Sequence, residues 1–453
     1  MAVIVPFRAV RYNPEKISNI EEVVSPPYDV IDAGGQAALL ERNPYNMIRL
    51  DLSKNVKGEG MTEQRYAGAA ELFRQWQRQA VLLREERPAF YIYEVDYRRP
   101  DGRTLTRRGF LSRVQLAEFA EGVVKPHEKT FAGVTSDRLR LLDTCQAQFS
   151  PIFSLYSDPA GEIMQLLARG STEPPLYSVP DHNGCEHRLR LVTDPAVLQA
   201  VGEKFQDKAL YIADGHHRYT TALQYRALVR ERRGQLDPAD AANHTMMYLC
   251  GMEDPGLSVL PTHRLLRLPG YKTSTDLLNA LQDYFEVMEI SNGGRESLLD
   301  ETLARMAEGE GGNTCFGFYH PGEDRSFLLT LKDGVMDREA AHQPPALRDL
   351  DVVVLSDLII DRLPDLDKSR CVQGELIDYY SNAAEALDVA VKEAVLAAEA
   401  GGRTEATPVL FLMNPTKVDQ VRRVADENLV MPHKSTFFYP KVLTGLAINP
   451  LSD

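Results

Sequence analysis

The chain of 453 residues has five cysteines, a single tryptophan and fewer basic than acidic residues. The cysteines are widely separated and form no Cys-x-x-Cys pair, which excludes a zinc ribbon and a thioredoxin-type redox motif. No apolar run approaches the roughly 20 residues that a membrane-spanning helix requires. The N-terminus lacks the long apolar run and the small-residue cleavage site of a signal peptide. We therefore expect a cytoplasmic protein with reduced thiols and no membrane partner.

The charge balance limits the class of partner. The 51 lysines and arginines stand against 65 aspartates and glutamates, which gives a net charge of -14. A broad nucleic-acid surface carries excess positive charge, so the balance argues against a nucleic-acid partner. A small anionic ligand stays compatible, because a local pocket needs only a few basic side chains or a helix N-terminus.

Four familiar catalytic and nucleotide-binding motifs are absent from the sequence. There is no G-x-x-x-x-G-K-[ST] phosphate loop and no G-x-G-x-x-G dinucleotide turn. The nucleophile elbow G-x-S-x-G and the zinc motif H-E-x-x-H are missing as well. Any nucleotide chemistry here therefore uses a less common scaffold.

Hydrophobic patterning predicts an α+β (irregular α/β) fold with mixed sheets, since strands and helices do not alternate regularly. Short alternating or apolar runs predict strands at AVIVPF, AFYIYEVDY, RGFLSRVQL, PIFSLYS, ALYIA, TMMYLCGM, CFGFYH, RSFLLTLK and PVLFLMN. Helical periodicity appears near residues 63–82, 220–233, 273–284, 295–308, 381–400 and 419–427. We predict a catalytic, nucleotide-binding core (1–268), a small α+β insertion or second domain (269–340), and a helical segment with a C-terminal strand-helix unit that packs back on the core (341–453).

The stretch ALYIADGHHRYTTALQYRAL (209–228) concentrates chemical side chains at a strand-to-helix junction. Gly215 permits a tight turn, and a helix N-terminus favours anions. Arg218 in the first turn can clamp a phosphate, while Asp214 can cap the helix or hold magnesium. The alternative is a surface turn whose histidines are ordinary polar residues. A zinc site is disfavoured because consecutive histidines point in different directions.

A second polar group follows in VVKPHEKTFAGVTSDRLRLL (123–142), before a helix predicted from Ser136. His127 or Glu128 can serve as a general base, because burial tunes either group towards neutrality. Lys129 can steady a phosphate. The alternative is a solvated loop.

Two further segments are pocket candidates. The proline-rich VVSPPYDVID (23–32) is rigid and could form a pocket wall. Arg49, among apolar residues in a predicted strand, needs a partner for its charge. The aromatic tail VMPHKSTFFYPKVLTGL (430–446) is predicted to pack back on the body, where Lys434 and Ser435 would complete a pocket. Ordinary docking of a terminal strand explains the tail equally well.

Taken together, PFRAVRYNP, SPPYDVI, NPYNMIRLDL, KPHEKT, DRLRLL, SPIFSLY, ADGHHRYTTAL, LPTHRLL and KSTFFYPKVLTGL resemble domain-of-unknown-function family 1015 over nearly the whole chain. The DGHHRY unit also resembles, more distantly, the strand-loop-helix phosphate-binding unit of the ParB/sulfiredoxin superfamily, which includes free-serine kinases. This resemblance implies that the turn binds the phosphates of ATP or ADP with Mg²⁺, with Glu128 as the base. Gly215, His216, His217 and Arg218 match that unit. Together with the residues singled out above, the predicted phosphate- and nucleotide-binding residues are Gly215, His216, His217, Arg218, Tyr219, Thr220, Lys129, Thr130, Lys434 and Ser435; the catalytic residues are Glu128, His127 and His217; and Asp214 is the candidate metal ligand.

The sequence therefore leads us to expect a nucleotide-dependent phosphotransferase that acts on a small hydroxylated metabolite such as free serine. One alternative is a metal-dependent phosphatase or other hydrolase, with the metal on His127, His216 or His217. Another alternative is a non-enzymatic module that senses a nucleotide or a metabolite.

Overall fold

The computed structural model describes residues 1–52, 61–99, 102–171, 173–271, 273–291, 293–309, 312–362, 376–399 and 406–452. Within these ranges the chain forms two compact units. The first comprises residues 1–126, 130–258 and 438–453, and the second comprises residues 127–129 and 259–437. None of the helices within the described ranges combines the length and the apolar character needed to cross a bilayer.

The described residues contain strands and helices throughout. The strands are β1 (Ile4–Val5), β2 (Val10–Tyr12), β3 (Leu82–Arg84), β4 (Phe90–Arg98), β5 (Thr104–Gln115), β6 (Val124–Lys125), β7 (Ala147–Gln148), β8 (Ile152–Tyr156), β9 (Tyr177–Pro180), β10 (Glu186–Val192), β11 (Leu210–Asp214), β12 (His244–Gly251), β13 (Ser258–Leu260), β14 (His263–Pro269), β15 (Phe285–Ile290), β16 (Cys315–His320), β17 (Arg325–Leu331), β18 (Ile377–Tyr380), β19 (Ala406–Leu412), β20 (Phe437–Tyr439) and β21 (Asn449–Pro450). The helices are α1 (Ala33–Arg42), α2 (Ile48–Asp51), α3 (Met61–Arg78), α4 (Ala132–Cys145), α5 (Glu162–Arg169), α6 (Pro195–Lys204), α7 (His216–Arg233), α8 (Ser274–Leu281), α9 (Arg295–Glu308), α10 (Val335–Glu339), α11 (Pro345–Arg348), α12 (Asp351–Leu355, continued by a π-helical turn over Ser356–Ile360), α13 (Ala383–Glu399) and α14 (Val418–Asp426).

The first unit is built on a mixed nine-stranded sheet in the order β6-β11-β8-β12-β5-β4-β10-β9, with β1 paired to β5. The pairs β11/β6 and β12/β8 are parallel, and the others are antiparallel. All eight residues of β12 are buried, as expected for a central strand that is covered on both faces. A second apolar cluster of this unit surrounds Trp76, which is 1% exposed.

The second unit has a six-stranded antiparallel sheet in the order β15-β17-β16-β19-β14-β18. Helices α9 and α13 pack on it through a core that includes Leu298, Leu387 and Leu410. Each fully buried Leu of this kind contributes about 1.5–3 kcal/mol through the hydrophobic effect.

The predicted α+β class with mixed sheets is confirmed. The nine predicted strands overlap β1, β4, β5, β8, β11, β12, β16, β17 and β19, and the six predicted helices overlap α3, α7, α8, α9, α13 and α14. The strand predicted around Arg49 is wrong, because this residue lies in helix α2, where its guanidinium donates to the Leu40 carbonyl. The side chain of Asn46, which precedes the N-cap residue Met47, accepts from the Ile48 N–H (3.0 Å).

The boundaries of the two compact units differ from those of the predicted segments 1–268, 269–340 and 341–453. The three-part division stays a prediction. The chain passes out of the first unit at residue 258 and returns to it at residue 438. The returning segment pairs with the first unit, since β21 pairs with β7 and Thr444 forms a β-bridge with Ser25. The packing of the whole predicted tail on the core stays a prediction.

Candidate functional site

The strand-turn-helix unit predicted at DGHHR is present as β11, Gly215 and α7. Strand β11 has a bulge between Ile212 and Asp214, and bulges of this kind recur beside active sites. Gly215 is the N-cap of α7 with φ of +97°, a left-handed conformation that favours glycine. The first backbone bond of the helix runs from Tyr219 N–H to Gly215 O (3.0 Å). The N–H groups of residues 216–218 precede that bond, and they form the anion-attracting end of the helix.

Arg218 folds back over the turn that precedes it. A Cβ placed on Gly215 would lie 2.9 Å from the guanidinium carbon of Arg218, so only glycine leaves room for this conformation. The guanidinium donates to the Asp214 carboxylate and to the Pro151 carbonyl. The Arg218 side chain is 11% exposed.

Asp214 therefore forms ion pairs and does not cap the helix, which has no side-chain cap. Its second carboxylate oxygen accepts from Lys441 Nζ at 3.0 Å. Burial of Asp214 favours its neutral form, but Lys441 and Arg218 outweigh this effect and hold the pKa of the carboxyl well below its usual range. Asp214 is thus ionised at neutral pH and contacts two cations.

A cavity of about 60 Å³ opens beside this turn within the first unit. Its walls are formed by Tyr28, Asp51, Arg138, Leu141, Leu142, Ala147, Gln148, Phe149, Ser150, Ile152, Arg218, Thr221 and Thr245. Arg218 Nε and Thr221 Oγ1 are buried and have no hydrogen-bond partner among the described residues. Buried polar groups are normally paired, so these two atoms are exceptions among the described residues.

A buried ion pair forms another part of the cavity wall. Arg138 Nη1 donates to the Asp51 carbonyl (2.7 Å) and to Asp51 Oδ1 (3.3 Å), and its guanidinium lies 4.4 Å from the Tyr28 ring centre. Ser150 Oγ donates to Asp51 Oδ2 (2.9 Å). Burial raises the pKa of Asp51, and the Arg138 charge opposes that shift. Two guanidinium groups and the Asp51 carboxylate thus line the cavity, and each guanidinium also pairs with a carboxylate outside its wall, Arg218 with Asp214 and Arg138 with Asp137.

The other predicted residues around the turn have differing environments. His217 Nε2 accepts from the Phe131 N–H (3.0 Å), and the two rings stack with centres 5.8 Å apart. His216 is buried. Tyr219 is fully buried, and its hydroxyl donates to the Ala117 carbonyl (2.7 Å), so the structure places this side chain in the core. The hydroxyl of Thr220 is buried without a partner among the described residues.

The remaining predicted residues divide between the units. Thr130 belongs to the first unit, and the others belong to the second. His127 is fully buried, and its Nε2 lies 3.1 Å from Thr436 Oγ1. Glu128 forms an isolated backbone β-bridge with Met431, and Lys129 is exposed.

Lys434 and Ser435 form hydrogen bonds within the second unit. The Lys434 carbonyl accepts from Arg264 (3.3 Å), and Ser435 Oγ donates to the Pro432 carbonyl (2.6 Å). The roles of Glu128, His127, Lys129, Thr130, Lys434 and Ser435 stay predictions.

Sequence reasoning did not single out Asp51, Arg138, Ser150 or Lys441 as site residues. Each of them lies in a segment quoted above, and Tyr28 forms the pocket wall expected of the proline-rich loop. Charged residues inside apolar runs were the available signal, because a buried charge requires a partner.

One group of three potential metal ligands occurs among the described residues. It consists of Asp181, Cys185 and His187, whose ligand atoms lie within 4.8 Å of one another. His127, His216 and His217 belong to no such group within the described ranges, so the predicted hydrolase metal site has no three-ligand set there.

Comparison with known proteins gives one family and several remote structural similarities. A family model described as Protein of unknown function (DUF1015) matches residues 4–353. No curated protein matches the chain. Similar solved structures include a conserved hypothetical protein from Pyrococcus furiosus (14% identity, TM-score 0.32, covering 74% of this chain and 94% of that one). A free serine kinase in complex with AMP is similar at 12% identity and TM-score 0.31, with 73% and 90% covered. SbnI with a C-terminal truncation from Staphylococcus aureus is similar at 9% identity and TM-score 0.32, with 75% and 87% covered.

Proposed function

We propose that the start of α7 binds a nucleotide phosphate and that the protein transfers a phosphoryl group to a small hydroxylated metabolite. The chain belongs to the family described as Protein of unknown function (DUF1015). The observation that carries the proposal is the pair of buried, unpartnered polar atoms at the cavity, Arg218 Nε and Thr221 Oγ1, beside a helix N-terminus. A phosphate oxygen accepts hydrogen bonds from a guanidinium, a hydroxyl and backbone N–H groups alike.

The size of the cavity agrees with a phosphate group. A buried water molecule needs about 10–15 Å³ of cavity volume. The cavity of about 60 Å³ therefore holds roughly four to six water-sized atoms. A phosphate has five heavy atoms. The base and ribose of a nucleotide would therefore lie beyond the cavity.

The chemistry proposed for this site is positioning and charge stabilisation. Arg218 and the N–H groups of residues 216–218 would hold the phosphate while a substrate oxygen attacks phosphorus and the bond to the leaving phosphate oxygen breaks. The hydroxyl proton passes to a base, and Glu128 stays the predicted base. Magnesium does not fit at Asp214 in this arrangement, because both carboxylate oxygens contact cations. We assign the charge-offsetting role to Arg218 and Lys441.

Isothermal titration with ATP, ADP and CTP tests the binding step. The wild type should bind one of these nucleotides, and Arg218→Ala should bind it about 10- to 100-fold more weakly, as expected for loss of a charged hydrogen bond worth about 1.5–3 kcal/mol. Arg232→Gln is the matched control, because Arg232 lies at the exposed end of the same helix and pairs with Asp143. Absence of nucleotide binding by the wild type would refute the proposal.

Product formation separates a transferase from a sensor. ATP is incubated with a panel of small hydroxylated metabolites that includes free serine, and ADP and the phosphorylated product are both measured. A transferase forms both in equal amounts, and Glu128→Gln should abolish transfer while keeping nucleotide affinity. Binding without turnover favours the sensor, and ADP without a phosphorylated product favours a hydrolase.

A further inference from the structure

A buried cluster at the β9–β10 hairpin has the composition of a metal site, and it is separate from the cavity at α7. Asp181 ends the first arm of the hairpin, Cys185 precedes β10, and His187 lies within β10. Cys185 and His187 are two residues apart, so their side chains leave the strand on the same face. The hairpin closes through the backbone bond from Asp181 N–H to Cys185 O (2.8 Å).

We propose that Asp181, Cys185 and His187 form a binding site for a divalent transition metal, with zinc as the preferred ion. Zinc takes thiolate, imidazole and carboxylate ligands in tetrahedral sites. A thiolate, a carboxylate and a neutral imidazole together carry two negative charges, which a divalent ion neutralises in a place where uncompensated charge is costly.

The spacing of the ligand atoms suits coordination better than a direct bond between His187 and Asp181. His187 Nε2 is 3.3 Å from Asp181 Oδ2. A charge-assisted hydrogen bond would be about 2.7–2.9 Å long, whereas an N and an O each about 2.05 Å from a tetrahedral zinc ion lie about 3.3 Å apart. All three ligand atoms lie within 4.8 Å of one another, so small side-chain adjustments complete the site.

The groups behind the ligands are arranged as outer-shell partners. His187 Nδ1 is 2.8 Å from the Tyr93 hydroxyl, so an Nδ1–H can donate to Tyr93 and leave Nε2 for the metal. Asp181 Oδ1 accepts from the N–H groups of Asn183 (2.8 Å) and Cys185 (2.9 Å), which leaves Oδ2 for the metal.

The surroundings are those of a closed structural site. The His187 side chain is fully buried, and Cys185 is 2% exposed. The Tyr439 hydroxyl, 3.5 Å from Cys185 Sγ, can donate to the thiolate as a further outer-shell partner. The Tyr93 hydroxyl also accepts from Leu443 N–H (3.1 Å). A bound metal would therefore fix the hairpin and residues 439–443.

Metal titration of the full chain tests the proposal. The protein is stripped with a chelator and titrated with Co²⁺ and with Zn²⁺ alone, following the thiolate-to-cobalt charge-transfer absorption and the metal content. We expect one equivalent per chain, a charge-transfer band that Zn²⁺ removes, and increased hydrogen-exchange protection of residues 439–443 on loading. Cys185→Ser should lose the band, and His182→Gln, an exposed histidine of the same turn, should keep it.

Tyr93→Phe keeps all three ligands and removes one outer-shell hydroxyl, so it should bind Co²⁺ about 10- to 100-fold more weakly. This variant and the wild-type titration keep the test decisive if Cys185→Ser fails to fold, which Trp76 fluorescence would reveal. Uptake of less than one equivalent of both metals by the wild type would overturn the proposal. Survival of the charge-transfer band in a folded Cys185→Ser variant would overturn it as well.

Discussion

Replacing Asp214 by Asn is the sharpest perturbation of the candidate phosphate site. The substitution keeps the shape of the side chain and removes the charge that Arg218 and Lys441 share. Two partly buried cations would then lose their carboxylate. An inorganic phosphate bound at the start of α7 could replace that negative charge, and this replacement links the stability of the variant to anion binding.

The magnitude follows from burial. Removing one partner of a buried ion pair costs about 3–5 kcal/mol. Asp214 and Lys441 are each 17% exposed, so water compensates part of the loss and we expect a cost near the lower end, about 3 kcal/mol. In the wild type, the Asp214 charge also repels a bound phosphate by about 1–3 kcal/mol. Saturating phosphate should therefore shrink the difference in stability by about 1–3 kcal/mol.

Urea unfolding followed by tryptophan fluorescence measures this difference. The only tryptophan of the chain, Trp76, is buried in the first unit, so its signal reports that unit. Unfolding is compared in phosphate and in chloride at equal ionic strength, since salt screens charges. Glu71→Gln is the control, because Glu71 forms exposed ion pairs on α3, and it should show no phosphate-dependent change. Equal stability of Asp214→Asn and wild type in chloride, or a gap that phosphate leaves unchanged, would refute the reasoning.

Two further predictions concern a glycine and a histidine. Gly215→Ala should destabilise the first unit by more than Gly122→Ala does, and it should weaken phosphate binding because the new methyl group displaces Arg218. Both substitutions place alanine in a left-handed conformation, at a cost of roughly 1–2 kcal/mol, but only the one at Gly215 creates a steric contact. Equal urea midpoints of the two variants would contradict this expectation. Burial lowers the pKa of His263 to about 4, so its contribution is present above pH 6.5 and is lost as the pH falls towards 4. The opening free energy from hydrogen exchange at Met413, whose N–H donates to His263 Nδ1, should fall over that range in wild type once the rates are corrected for the pH dependence of intrinsic exchange. A pH-independent opening free energy would contradict the expectation.

The local pattern of the sequence predicted the elements that position the site. An apolar run that ends at Ala213, followed by Gly215 and helical periodicity, predicts the strand, the turn and the helix, because each depends on neighbouring residues. The structure has these elements as β11, Gly215 and α7. The metal-ligand signal at Asp181, Cys185 and His187 was also local, yet it matches no common spacing motif, and we did not recognise it from the sequence.

The partners of the buried charges depended on tertiary structure alone. Lys441 pairs with Asp214 across 227 residues of chain, and Arg138 pairs with Asp51 across 87. Hydrophobic periodicity specifies which face of a helix or strand is buried, but it does not specify which distant charged residue forms an ion pair with a charge on that face. The sequence by itself determined the strand-turn-helix unit and indicated that charged residues within apolar runs require ion-pair partners. Only the folding of the chain decided that two guanidinium groups and a raised-pKa carboxylate line one small cavity, because that juxtaposition depends on how the elements pack.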